Sequence, residues 1–196
     1  MKKSAPTTIL YLPGLGDGYD GLRKCALRFW HRRNTTVKLI PMLWNDSSEK
    51  IDHKLERVGD AIRTARKNGR RVVLIGESAG GSMALVAYAL HKNQIAQVIT
   101  LCGKNIGAER VSPRLYKSHP AFRQSMLRAD AIVPKLTTAS KKKFTIFYSK
   151  YDPTVRPIDT LIDTVDAHEL RGIGHLMVIV LGLTLYKSKL LAAVKS

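Results

Sequence analysis

The stretch that most restricts the fold of this chain is residues 71–88, RVVLIGESAGGSMALVAY. A β-branched, apolar run leads into Gly76-Glu77-Ser78-Ala79-Gly80, and a helix-like segment follows. The pattern predicts a strand, a sharp turn and a helix, with Ser78 at the apex. A hydroxyl lifted on a tight turn is exposed, and glycines two residues to either side remove Cβ atoms that would collide there. Five residues are few enough to match by chance. The weight of the pattern therefore depends on whether the flanking chain supplies an acid and a histidine where such a serine needs them.

Read from its start, the chain alternates extended and helical signals. Residues 7–12 form a short apolar run ended by Pro13-Gly14-Leu15-Gly16-Asp17-Gly18, a loop whose glycines leave backbone amides free to face a ligand. A helix is expected over 21–33, then a strand over 36–43 in which Pro41 points to a sheet edge. Ser47 or Ser48 is expected to cap the next helix, which runs to about Lys67 on Ile51, Leu55, Val58 and Ile62. After the Ser78 turn come a helix to about His91 and a strand over 97–102. Residues 104–142 read more loosely, with one helix between Pro120 and Val133. A strand over 143–149, a short helix over 157–162, a strand over 164–171 and a helix over 176–194 complete the pattern.

This alternation predicts a doubly wound α/β fold of about six mainly parallel strands with helices on both faces, because a parallel crossover needs a dozen or more residues. The length suits one domain, 1–196, with 104–142 as its lid or crossover segment. Ligands bind at the carboxyl ends of strands in such sheets. The 14–17 loop, Ser78, Asp152 and His175 all fall at such ends.

Charge is the unusual part of the composition. Thirty-three Lys and Arg against 15 Asp and Glu give +18, which attracts polyanions, although the basic residues are scattered and single out no nucleic-acid face. Cys25 and Cys102 lack C-x-x-C spacing and are expected as two buried free thiols. His31, His53, His91 and His119 show no ligand spacing such as H-E-x-x-H, so neither metal nor cofactor is expected. The opening apolar run is too short for a signal peptide, and the longest, 176–186, is interrupted by Gly182 and Thr184. No transmembrane segment and a cytoplasmic location are therefore expected.

A serine hydroxyl becomes an effective nucleophile when a neighbouring base takes its proton and a carboxylate holds that base. Ser78, His175 and Asp152 can fill these roles. Asp152 can also simply start the turn at Asp152-Pro153 or cap the helix after it, and His175 can cap the last helix. Asp159 and Asp163 are rival acids inside or after a helix, and His168 is a rival base within a strand. Glu77 alternates away from Ser78 and reads as a local ion-pair partner.

The order Ser, Asp, His, each just past a strand, together with LPGLGDG before the first crossover, resembles the α/β-hydrolase fold superfamily over about residues 7–194. The small size, Y-S-x-x-D-x-x-V at 148–155 and G-I-G-H-L at 172–176 are similar to the minimal, nearly capless bacterial lipases and related small serine hydrolases. The resemblance implies cleavage of a small-molecule carboxylic ester or thioester through an acyl-enzyme. It also implies an oxyanion hole built from the backbone N–H groups of Leu15 and Ala79. Pro13 stands where many members carry histidine, which leaves these backbone donors in place but removes one marker of a lipase. Residues 104–142 occupy the position of a lid, too short for a separate cap domain. Phe122, Met126 and Leu127, with Ile132 and Val133, are candidates either for an acyl groove or for core packing at helical spacing. The basic character of the segment suggests a substrate bearing a carboxylate or phosphate, or an anionic surface. Two alternatives stay open: an amidase or peptidase with the same machinery, and a non-catalytic basic module that binds nucleic acid or anionic lipid.

Overall fold

A computed structural model describes residues 5–194. Its centre is a six-stranded sheet in the order β2-β1-β3-β4-β5-β6, with every neighbouring pair parallel. In chain order the elements are β1 (Thr7–Leu12), α1 (Asp20–Arg28), β2 (Thr35–Leu39), α2 (Ile51–Lys67), β3 (Arg71–Glu77) and α3 (Gly80–His91). There follow β4 (Ile95–Leu101), α4 (Pro113–Ser118), α5 (Pro120–Ile132), α6 (Thr138–Lys141) and β5 (Phe144–Tyr148). The chain ends with α7 (Pro157–Thr160), β6 (Asp166–Glu169), α8 (His175–Leu183) and α9 (Lys187–Ala192). This is the doubly wound architecture that the alternation of signals predicts, and among the described residues it carries no long lid.

The central strands are apolar on both faces because both faces are covered. Successive side chains along a strand point to opposite sides, so Leu10, Leu12, Val72, Leu74, Val98 and Ile146 pack with α2, α3 and α5. Ile9, Tyr11, Val73, Ile75, Ile99 and Phe147 pack with α1, α8 and α9. Helix α3 is buried from Gly80 to Tyr88, which explains why its sequence lacks a polar stripe. In the register, Leu12 lies beside Gly76 and Glu77 beside Leu101, so the loops after β1, β3 and β4 emerge side by side.

Four local expectations need correction. The helix expected to be capped by Ser47 or Ser48 starts at Ile51 with Lys50 at its cap, because Ser48 turns both its amide and its hydroxyl to Asp46 Oδ1, at 2.9 and 2.6 Å, and forms a turn of its own. The last helix is two helices. Thr184 donates its hydroxyl to the Val180 carbonyl at 2.7 Å and its backbone leaves the helical region, while the buried Trp30 indole donates to the Leu183 carbonyl at 2.8 Å. Both edge strands are shorter than predicted: β2 ends at Leu39, before Pro41, and the four residues of β6 are all exposed. Cys102 is buried as expected, but Cys25 is exposed on α1. Among the described residues, no helix is long and apolar enough to cross a membrane.

Candidate active site

The turn between β3 and α3 is built by close backbone approach. A Cβ on Gly76 would lie 2.4 Å from the Gly80 carbonyl oxygen, and one on Gly80 would lie 2.1 Å from that of Leu12. Only glycine fits at either place. Ser78 between them is forced to a φ of 49°, left-handed backbone that non-glycine residues adopt at a cost of roughly 1–3 kcal/mol. Surrounding bonds hold it there. Its amide donates to the Leu101 carbonyl at 3.1 Å, and its own carbonyl accepts from the amides of Gly81 and Lys104 at 2.9 and 2.8 Å.

From this turn a single chain of hydrogen bonds runs across three loop regions. Ser78 Oγ lies 2.8 Å from His175 Nε2, at the first residue of α8. His175 Nδ1 lies 2.6 Å from Asp152 Oδ2, in the loop after β5. With its proton on Nδ1, the imidazole donates to Asp152 and accepts the serine hydroxyl. Asp152 is buried, and its other oxygen, Oδ1, accepts from the amides of Thr154 and Val155, both at 2.9 Å. The turn-forming and imidazole-facing readings of this aspartate are therefore both realised, one by each oxygen. The rival residues lie elsewhere. His168 is exposed on β6 and pairs with Asp166, Asp163 is exposed, and Asp159 is buried against Lys104 and Arg110.

Glu77 does form an ion pair, but not a local one. Its carboxylate accepts from Arg23 Nη2 at 2.6 Å and from the Tyr11 hydroxyl at 2.5 Å, and it also takes the Gly14 amide at 3.3 Å. Arg23 in turn donates to the carbonyls of Gly16 and Leu15, at 2.9 and 3.4 Å. Burial first, and then the Glu77 carboxylate, push the Tyr11 phenol well above its ordinary value, so it remains a donor. From the far side, Asp17 accepts the amides of Trp44 and Asn45, and the Trp44 indole donates to the Pro13 carbonyl at 2.9 Å. The loop carrying Leu15 is thus clamped on both flanks. Among the described residues, the amides of Leu15 and Ala79 donate to no protein acceptor, and both residues line one pocket with Ser78.

That pocket measures about 170 Å³ and includes Phe122, Val155, Lys104 and Arg110. Burial pulls the Lys104 ammonium below its ordinary value despite the Asp159 carboxylate 3.0 Å away. The other groove candidates divide: Ile132 and Val133 pack partly buried against the core. Met126 is wholly buried in the core, and Leu127 opens into a separate depression with Tyr116 and Asp130. The neighbour that the sequence left unnoticed is Cys102. Burial, with the Asp152 carboxylate beside it, pushes its thiol far above the ordinary cysteine value. Among the described residues, no group of three or more His, Cys, Asp or Glu is placed to hold a metal ion.

Comparison with known proteins agrees with this architecture. The chain is similar to MGS-MChE2, an alpha/beta hydrolase enzyme from the metagenome of sediments from the lagoon of Mar Chica, Morocco, at a TM-score of 0.66 and 16% identity, covering 96% of this chain and 90% of that one. It is also similar to a structure of the metagenome-derived lipolytic enzymes LipS and LipT (0.68, 14% identity, 96% and 91% covered). Est1E from Butyrivibrio proteoclasticus superposes at 0.64, with 12% identity and 97% and 88% covered. No curated protein matches the chain in sequence. A family model described as the alpha/beta hydrolase fold matches residues 44–162, more than half of the chain. The chain belongs to the alpha/beta hydrolase fold family.

Proposed function

We propose that this protein is a serine hydrolase that cleaves a carboxylic ester or thioester through an acyl-enzyme. The observation that carries the reading is the continuous path from Ser78 Oγ to His175 at 2.8 Å and from His175 to Asp152 at 2.6 Å. Ser78 Oγ attacks the substrate carbonyl while His175 Nε2 takes its proton, and Asp152 stabilises the imidazolium that forms. The amides of Leu15 and Ala79 receive the oxyanion, a contribution of roughly a hundred- to a thousandfold per donor. His175 then returns the proton to the leaving alcohol or thiol. Water, deprotonated by the same nitrogen, releases the acid and restores Ser78.

At about 170 Å³ the pocket beside Ser78 is smaller than the roughly 300–1,000 Å³ of most ligand sites, which favours a short acyl group. Lys104 and Arg110 on its wall favour a substrate that carries a carboxylate or phosphate. The test is a fluorophosphonate probe together with a panel of p-nitrophenyl esters, neutral and anionic, of graded chain length. The wild type should be labelled and should prefer short acyl groups, and Ser78→Ala should lose both labelling and turnover. A wild type that the probe leaves unlabelled would remove this reading.

A further inference from the structure

Helix α8 has the sequence HLMVIVLGL, apolar all round after its first residue, which is the pattern of a helix covered on every side. Only part of it is covered. Val178, Ile179 and Leu183 pack against the sheet, whereas Leu176, Met177 and Val180 face water. Facing Leu176 and Val180 across a groove of about 690 Å³ is the outer side of α1. The walls carry Leu22 at 70% exposure, Phe29 at 69%, Leu176 at 57% and Leu185 at 73%. Single exposed apolar side chains are ordinary, but a contiguous groove of them marks a contact surface.

The charge around the groove says what kind. Along residues 20–33, Lys24, Arg28, Arg32 and Arg33 are exposed, while the acid Asp20 is paired with the buried Arg23, and residues 172–194 contain Lys187 and Lys189 and no acid. The Lys187 ammonium lies over the Phe29 ring, 5.7 Å from its centre, so a cation sits directly on the apolar wall. A second copy would bring two +18 chains together with the same basic rim on each, which opposes self-association. An anionic lipid surface meets both halves of the pattern, acyl chains receiving the apolar side chains and headgroups the cations.

We propose that the face formed by α1 and α8 docks the protein onto an anionic lipid bilayer. Leu176 directly follows His175, so a bilayer seated there lies beside the mouth of the candidate active site. Docking does not depend on the serine chemistry proposed above.

Flotation of the full chain with vesicles tests it, using equal parts of phosphatidylglycerol and phosphatidylcholine against phosphatidylcholine alone. The wild type and Ser78→Ala should float equally with the anionic vesicles, remain behind with the neutral ones, and be released by high salt. Leu22→Ser with Phe29→Ser should weaken binding by about tenfold or more, since both side chains lose their place in the acyl region, and should leave the melting temperature and hydrolysis of soluble esters unchanged. Lys187→Glu should weaken binding by about fivefold or more, since each basic side chain near an anionic surface contributes roughly that factor. The proposal fails if the wild type does not float. It fails equally if the apolar double variant floats as well as the wild type, which would assign binding to scattered charge. A concentration-dependent dimer dissolved by the same double variant would assign the groove to a second copy instead.

Discussion

Asp152 divides its carboxylate between two tasks, with Oδ1 on the amides of Thr154 and Val155 and Oδ2 on His175. Asparagine can keep the first task and fails at the second. Its oxygen still accepts from the two amides, while its NH₂ faces Nδ1 and imposes the tautomer that cannot take a proton from Ser78 at Nε2. Asp152→Asn should therefore melt within a few degrees of the wild type and lose about a thousand- to ten-thousandfold in kcat. Parallel thermal melts and ester kinetics check this, and a large drop in melting temperature would mean that turn and imidazole contacts are inseparable. Ser78, Asp152 and His175 were legible in the sequence because each announces itself locally, by flanking glycines or by a place just past a strand. Cys102 was not. The strand end at 102 shows in the sequence, but the nearness of Asp152, fifty residues later, belongs to the fold.

Glu77 shows how one strand end organises the elements around it. It lies on β3, its hydroxyl partner Tyr11 on β1 and its cationic partner Arg23 on α1, and Arg23 also holds the carbonyls of Leu15 and Gly16. The loop bearing one proposed oxyanion donor is thus positioned by a buried ion pair rather than by its own glycines alone. Removing Arg23 leaves a buried carboxylate without its counter-charge, a change that costs about 3–5 kcal/mol. Arg23→Met should lose that much in denaturant unfolding. It should also lower kcat about ten- to a hundredfold, part of the hundred- to thousandfold that one oxyanion donor contributes. Tyr11→Phe is the comparison, costing only about 1 kcal/mol because Arg23 still holds Glu77. Equal losses in the two variants would contradict the argument. The sequence placed Glu77 off the catalytic path but gave it a local partner, since a pair separated by 54 positions on different elements leaves no periodic signature. The break at Thr184 escaped for a similar reason: the Trp30 indole that donates to the Leu183 carbonyl at the end of α8 comes from 153 residues away.

Parallel pairing and coverage of both sheet faces followed from the alternation of short apolar runs with helical periods, a property of the whole chain that survives errors of a few residues at each boundary. Net charge is a property of the same scale, and at +18 it makes the paired, buried carboxylates counterions on which the fold depends. Asp159 is the clearest case. Burial pushes its carboxyl up, but hydrogen bonds from Arg110 and Lys104 outweigh burial and hold it below the ordinary value of about 3.9. Glu49 is likewise held low: burial is outweighed by Lys54 and Arg57. A carboxylate with a depressed folded pKa stabilises fully above its unfolded value, and that stability disappears as pH falls through the folded value. The exposed Asp46 and Asp52 are held low by hydrogen bonds from Ser48 and Arg128, while Asp20, pushed up chiefly by burial, works in the opposite sense, so the net loss is set by the lowered carboxylates. Unfolding free energy should therefore fall below about pH 4, while every protonated acid adds to an already large positive charge. Added NaCl should restore part of the loss, since 0.1 M salt shortens the reach of exposed charges to about 10 Å. Asp159→Asn should lower stability at pH 7, leaving the buried Lys104 without its counter-charge, and should flatten the acid limb. If acid sensitivity is the same in that variant as in the wild type, the dependence on counterions resides in the exposed carboxylates, and the buried Asp159 cluster contributes only at neutral pH.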